Sequence, residues 1–420
     1  MELLASNIID VEKYAKVLLT GPRPGPDGLP PDFCRAPGSL PPAFASLAED
    51  IAAAVMSEVE EYAQPGDEEV ARAVRRVARD AVAGFAARLI GQAASPAAGL
   101  PATVISLHDA RVNPDVISRV ITTVHDACTR RLIELAEERM GGPPVAYTWF
   151  ALGSLARREA YPSSDQDSAL AWAGEDADPA LRDWMRRLAE SVVGGLDRCG
   201  FPICRQGALA SAPLFARSIE AWENVARSWL DDPDQEKALI LVSVVVDGRP
   251  VWAADVAGDR LRAAFSGARD RPRLLRLLER FALAHRPPTG FFRDFVVEHT
   301  GEHRGKLDIK QGGLLPVVDL ARSVAMAAGV SGATTVQRLN AAAAAGTLSG
   351  RDAADLVDAF ELFSELRMEH QVDQLRVHAA PDDHIDVTQL SPLTRTYLKE
   401  ALRAVAGVQR GLTSISSLTR

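Results

Sequence analysis

Three short runs of β-branched and aromatic residues, set in a chain of otherwise helical period, most limit what this sequence can fold into. They are Val145–Leu152 (VAYTWFAL), Asp165–Ala173 (DQDSALAWA) and Ala238–Val246 (ALILVSVVV). Their apolar content suits strands buried in a sheet. Between and before them, apolar residues recur at helical spacing over Pro114–Met140, Pro179–Cys199 and Pro213–Leu230. The first of these stops at Gly141-Gly142-Pro143-Pro144, a strong helix terminator. A few strands separated by helices predict a small sheet covered by helices, an α/β domain over 110–268.

The 420 residues exceed one compact core, since domains run to about 100–200 residues. Residues 1–109 read as a helical N-terminal region interrupted by the Pro/Gly-rich loop 21–42 (GPRPGPDGLPPDFCRAPGSLPP). From 269 to 420 the period is helical again, around Leu274–Leu283, Val317–Ala328, Thr335–Ala345, Arg351–Val377 and Pro392–Arg410. This half predicts an α-helical bundle. Trp184, Trp222 and Trp229 fall on apolar helix faces and belong to the core.

A net charge of -9 argues against an extended nucleic-acid surface, which needs clustered Lys and Arg. The first twenty residues mix charges among their apolar positions, so they carry no signal-peptide core, and no window is apolar enough to cross a membrane. The four cysteines, Cys34, Cys128, Cys199 and Cys204, lack zinc-site spacing and read as reduced thiols of a cytoplasmic protein. His299 and His303 stand four apart, but Gly301 interrupts them and no third ligand follows, so the pair is not read as a metal site. His108-Asp109 and His125-Asp126 also lack further metal-spaced histidines, which leaves no second, hydrolytic motif.

The chemistry concentrates in residues 149–172, WFALGSLARREAYPSSDQDSALAW. A strand ends at Gly153, where the missing Cβ lets a phosphate approach the backbone, and Ser154 opens a helical turn. Ten residues separate Ser154 from Asp165, and Asp167 follows two positions on. Residues i and i+2 of an extended chain point to one face, so the two carboxylates converge. Like charges placed side by side are costly unless a cation neutralises them. Together they can hold two Mg²⁺ ions, with Mn²⁺ as an alternative, for in-line displacement.

A strand, Gly-Ser, about ten residues and then Asp-x-Asp resembles the signature of polymerase-β-type nucleotidyltransferases. The fuller string, Gly153-Ser154-x-x-Arg157-x-Glu159 through Ser164-Asp165-Gln166-Asp167-x-Ala169-Leu170, is similar to a narrower bacterial branch with a substrate-binding domain. That branch is related to the uridylyltransferases that modify the PII signalling protein. This chain departs from its pattern at Ala156, Ala160 and Ser168, where Gly, Gln and Asn are usual. The resemblance continues through Lys306–Pro316 (KLDIKQGGLLP), Asp319, Arg322, Arg338-Leu339, Leu366-Arg367 and His370-Gln371, and covers roughly 110–410.

The resemblance implies a polymerase-β-type α/β domain followed by a helical substrate-binding domain. It implies transfer of an NMP from an NTP to a hydroxyl of a protein or small-molecule acceptor, with release of pyrophosphate. Gly153, Ser154, Arg157 and Ser164 would meet the nucleotide, with Glu159 orienting Arg157. Lys310 and Gly313 would meet the second substrate. The superfold normally adds a third carboxylate, for which Asp247, at the end of the ALILVSVVV run, is the candidate catalytic and metal residue. Asp247 equally suits the first place of the turn Asp247-Gly248-Arg249-Pro250. A non-catalytic nucleotide-binding regulator, or an antibiotic-type small-molecule adenylyltransferase, would carry the same motif.

Overall fold

The computed structural model describes residues 99–232, 246–288, 303–330 and 332–418. The helices expected over 43–92, most of the run 238–246, and His299 lie outside them. The chain begins with α1 (Gly99–Asp109) and α2 (Pro114–Met140), followed by β1 (Tyr147–Ala151) and a single turn, α3 (Gly153–Ala156). Next come β2 (Ser168–Trp172), α4 (Pro179–Arg198), β3 (Ala216–Ser218), α5 (Ile219–Asp231), β4 (Arg249–Trp252) and α6 (Ala254–Ser266). Then follow α7 (Pro272–Ala284), β5 (Leu307–Asp308), a π-helical turn at Lys310–Leu314 and α8 (Leu315–Ala328). The described chain closes with α9 (Thr335–Ala344), α10 (Gly350–Arg376), β6 (His384–Ile385) and α11 (Pro392–Leu418).

Local chemistry sets these boundaries. Asp178 caps α4 by accepting the amides of Ala180 and Leu181, with Pro179 in the first turn, where a missing N–H costs nothing. Ser218 caps α5 through the Ala221 amide. Thr334 and Gln337 form a reciprocal capping box at α9. Gly329, left-handed at φ 76°, ends α8.

Four strands form a small mixed sheet in the order β3-β2-β1-β4. β1 runs antiparallel to β2, with Trp149 opposite Leu170, and antiparallel to β4 with a register shift between Trp149 and Phe150. β3 lies parallel to β2 at the edge. Every residue of β1 and β2 is buried, as a strand between helical layers requires. Two departures from the sequence reading matter. The run Pro213–Leu230 is not one helix, because Ala216–Ser218 pairs with β2 before α5 begins. Strand β2 starts at Ser168 rather than Asp165, so the acidic pair precedes the ladder.

One core joins the sheet to α1, α2, α4, α5 and the first turns of α7, with Trp184, Trp222 and Trp229 all inside it. Trp222 Nε1 donates to the Leu170 carbonyl, tying α5 to β2. A second core lies among the end of α7, α8, α9, α10 and α11. Met326, Met368 and Val372 reach from the second half into the first core, so the two pack against each other. No helix among the described residues is long and apolar enough to cross a membrane.

Candidate active site

The site forms where β1 gives way to α3. The Leu152 amide donates to the Asp167 carbonyl at 3.0 Å, holding the two segments together. Gly153 follows in the left-handed region at φ 55°, and a Cβ there would lie 2.6 Å from Asp167 Oδ2. Glycine is thus required twice, by backbone conformation and by the carboxylate beside it.

Asp165 and Asp167 sit in the extended segment that enters β2, bridged to the chain at Gln166–Ile203. Gln166 points inward, fully buried, and donates to the carbonyls of Val193 and Phe201. With Gln166 fixed inward, the alternation of an extended chain places both aspartates on the opposite face. The Cys204 thiol closes the group: donor atoms of Asp165, Asp167 and Cys204 all lie within 4.8 Å of one another. Burial, and then repulsion from Asp165, push the Asp167 carboxyl up to about 7, against the pull of the Cys204 hydrogen bond, Lys310 and Arg157. Burial and the two carboxylates push the Cys204 thiol far above its ordinary range. Asp167, disfavoured as an anion beside Asp165, belongs to a donor set that a divalent cation relieves.

Lys310, at the start of the π-helical turn, brings positive charge from the second half toward Asp167 and also acts on Asp308 and Asp383. Ser154 keeps its hydroxyl without a hydrogen bond among the described residues, while its carbonyl accepts the Glu159 amide. Ser154 thus carries an uncommitted hydroxyl directly after Gly153, and Lys310 a positive charge felt by Asp167.

Four other expected residues have different employment. Asp247 does not join the metal group: its side chain is fully buried in the turn before β4, and three guanidinium groups occupy both its oxygens. Arg157 Nη1 approaches Oδ2 at 2.5 Å and Arg322 Nη2 the same oxygen at 2.9 Å, while Arg338 Nη1 meets Oδ1 at 2.5 Å. Burial alone would raise this carboxyl, but the fields of Arg322, Arg338 and Arg157 outweigh it and hold it far below the usual range. With Arg322 Nε also facing Oδ1 at 3.4 Å, four N–H groups take up the roughly four lone-pair sites of this carboxylate and leave none for a metal.

Arg157 is correspondingly committed to Asp247 and, through Nε, to Glu159 at 2.8 Å, rather than facing an open phosphate site. Glu159 does orient it. Ser164 closes its own turn, its hydroxyl accepting the Tyr161 amide at 2.9 Å, and Gly313 serves packing, since a Cβ there would meet Phe363 at 3.0 Å.

The residues around Asp247 form a chain of polar and charged contacts between the halves. His285 meets Asp319, which pairs with Arg322; Arg322 meets Asp247, then Arg157 and Glu159. Glu159 ends the chain on the amide and hydroxyl of Thr335. A second strap forms beside the acidic pair. Ser163 bonds Gln371 through its amide, and its hydroxyl meets Gln371, Arg367 and Asp383. Arg367 also lies over the Tyr161 ring at 4.0 Å. Asp319, Arg322, Arg338, Arg367 and Gln371 of the C-terminal pattern therefore build the contact that fixes the second half over the site. Sequence reasoning missed Cys204 and Ser163, whose roles come from partners distant in sequence.

Residues 98–236 match the family model described as "Putative nucleotidyltransferase DUF294". Residues 272–415 match the model described as "Putative nucleotidyltransferase substrate binding domain". No curated protein matches the chain.

Proposed function

This chain belongs to the DUF294 nucleotidyltransferase family, and we propose that it moves an NMP from an NTP to a hydroxyl acceptor at Asp165 and Asp167. The observation that carries this reading is the convergence of the two carboxylates beside the Gly153 turn, faced by Lys310 from the other half. A divalent cation, Mg²⁺ or Mn²⁺, neutralises phosphate charge when bound. Asp165 and Asp167 hold it, and Gly153 leaves the floor of the site open to a phosphate. Ser154 and Lys310 orient phosphate oxygens. The acceptor hydroxyl oxygen forms a bond to the α-phosphorus as the bond to pyrophosphate breaks, its proton passing to solvent, and the second half presents the acceptor.

A second reading, a nucleotide-binding regulator without turnover, is favoured by one observation: among the described residues, the acidic pair is joined by a thiol rather than by a third carboxylate. One experiment separates the two. The protein is incubated with Mg²⁺ and each α-labelled NTP in a cell lysate, alongside Asp165→Ala/Asp167→Ala. Transfer expects labelled acceptor and pyrophosphate from the wild type alone. Metal-dependent NTP binding without either product favours the regulator, and absence of both binding and product sinks both readings.

A further inference from the structure

We propose that His303, Asp382 and His384 form a separate site for one borderline transition-metal ion, of which Zn²⁺ is the representative. The three donor atoms lie within 4.8 Å of one another, His303 from the turn before β5 and Asp382 and His384 from the loop and strand β6 distant from it in sequence. β5 pairs antiparallel with β6, placing Asp308 opposite His384. The turn before β5, closed by the Lys306 amide on the His303 carbonyl, lays the His303 ring on that of His384. The ring centroids are 3.6 Å apart and the planes 7° from parallel.

Packing alone leaves a cost here. Nδ1 of His303 and Nδ1 of His384 are both shut off from solvent without a hydrogen-bond partner among the described residues. A buried polar atom left unpaired costs about 1–3 kcal/mol, and two adjacent ones call for a shared partner. Asp382 supplies the anionic ligand, with Oδ1 at 4.0 Å from His384 Nδ1. That oxygen is positioned by His370 Nε2 at 3.0 Å and by the His384 amide at 2.8 Å. On the far side of the ring, His384 Nε2 faces Asp308 Oδ2 at 3.9 Å. A carboxylate behind a histidine whose other nitrogen is free is the arrangement that orients imidazole ligands.

Two imidazoles and one carboxylate suit zinc and its neighbours, whereas Mg²⁺ demands oxygen donors. Imidazole lone pairs lie in the ring plane, so the stacked rings splay when they converge on one ion. Asp383, beside both ligands, meets Ser163, Arg367 and Gln371. The ion therefore stiffens the strap that ends two residues before Asp165, a structural role independent of the nucleotide reading.

The test uses untagged, metal-stripped full-length protein, titrated with Co²⁺ in millimolar Mg²⁺. The expected result is one equivalent of Co²⁺ with visible d–d absorption, displaced by Zn²⁺, without thiolate-to-cobalt charge transfer, and retained in Asp165→Ala/Asp167→Ala. His384→Ala weakens binding at least about a hundredfold, and second-site loss in His370→Ala is about tenfold. Should His384→Ala misfold by circular dichroism, His303→Gln, on a turn, carries the same expectation. Unaltered Co²⁺ affinity in His303→Gln, a thiolate charge-transfer band, or no bound Co²⁺ overturns the proposal.

Discussion

Replacing Asp247 by Asn separates the two roles that this residue could have. The side chain is fully buried, and Arg157, Arg322 and Arg338 around it are 7%, 9% and 1% exposed. At an effective dielectric near 20, each contact pair of unit charges is worth about 4 kcal/mol. Asn keeps the shape but removes all three attractions, and leaves the guanidinium groups facing one another. The desolvation cost of the lost carboxylate, several kcal/mol, offsets much of that sum. Removing one partner of a buried pair costs about 3–5 kcal/mol, and Asp247→Asn falls in that range, since Arg338 loses its carboxylate while Arg157 and Arg322 keep Glu159 and Asp319. Urea denaturation followed by circular dichroism measures it. Divalent affinity at Asp165 and Asp167, read by calorimetry on the folded variant, stays within about threefold of wild type. Loss of less than about 1 kcal/mol together with loss of metal binding would refute the cage and restore Asp247 as a ligand. The pH dependence follows the same logic. A carboxyl held below its unfolded value of about 3.9 contributes stability above that pH and loses it as the pH falls further. The gap between wild type and Asp247→Asn therefore holds from neutrality to about pH 4 and narrows below it.

Other changes test the acidic pair and its neighbours. Asp167, raised to about 7, binds a proton in the folded state that the unfolded chain has released, so it costs metal-free stability as the pH rises from 4 to 8. Asp167→Asn should stabilise the metal-free protein by about 2–4 kcal/mol at pH 8 in thermal or urea melts, while abolishing stabilisation by Mg²⁺. Divalent affinity of the wild type, by calorimetry, should fall about tenfold per pH unit below 7, because the cation must displace that proton. Gly153→Ala meets both the left-handed strain of about 1–2 kcal/mol and the 2.6 Å approach to Asp167. It should weaken metal and NTP binding at least tenfold, and unchanged affinity would count against the packing argument. Lys310→Ala should weaken NTP or acceptor binding with stability held within about 0.5 kcal/mol, whereas Lys310→Arg should restore part of the loss in the same titration.

How much was legible depends on how local each cause is. The bounds of α2 agree with the reading from Pro114 and the Gly-Gly-Pro-Pro stop, because initiation and termination are properties of neighbouring residues. The buried strand before Gly153 and the burial of the three tryptophans were legible for the same reason. β3 was hidden inside a helical pattern, since three residues at a sheet edge are too few to show a period. The Asp165–Asp167 segment has strand-like alternation, yet the continuous ladder with β1 begins only at Ser168.

By itself, the sequence determined that Gly153 and the Asp165/Asp167 pair would share one small volume, because a turn of fixed length and a two-residue alternation leave few other arrangements. Tertiary structure alone decided what lies around that pair. Asp247 has the same neighbours in sequence whether it binds a metal or three arginines, and only the docking of α8 and α9 chooses. His303 gained two companions from eighty residues away by the pairing of β5 with β6. Charge and ligand geometry act through space, so the chemistry of a buried carboxylate is set by whatever the fold brings within a few ångströms.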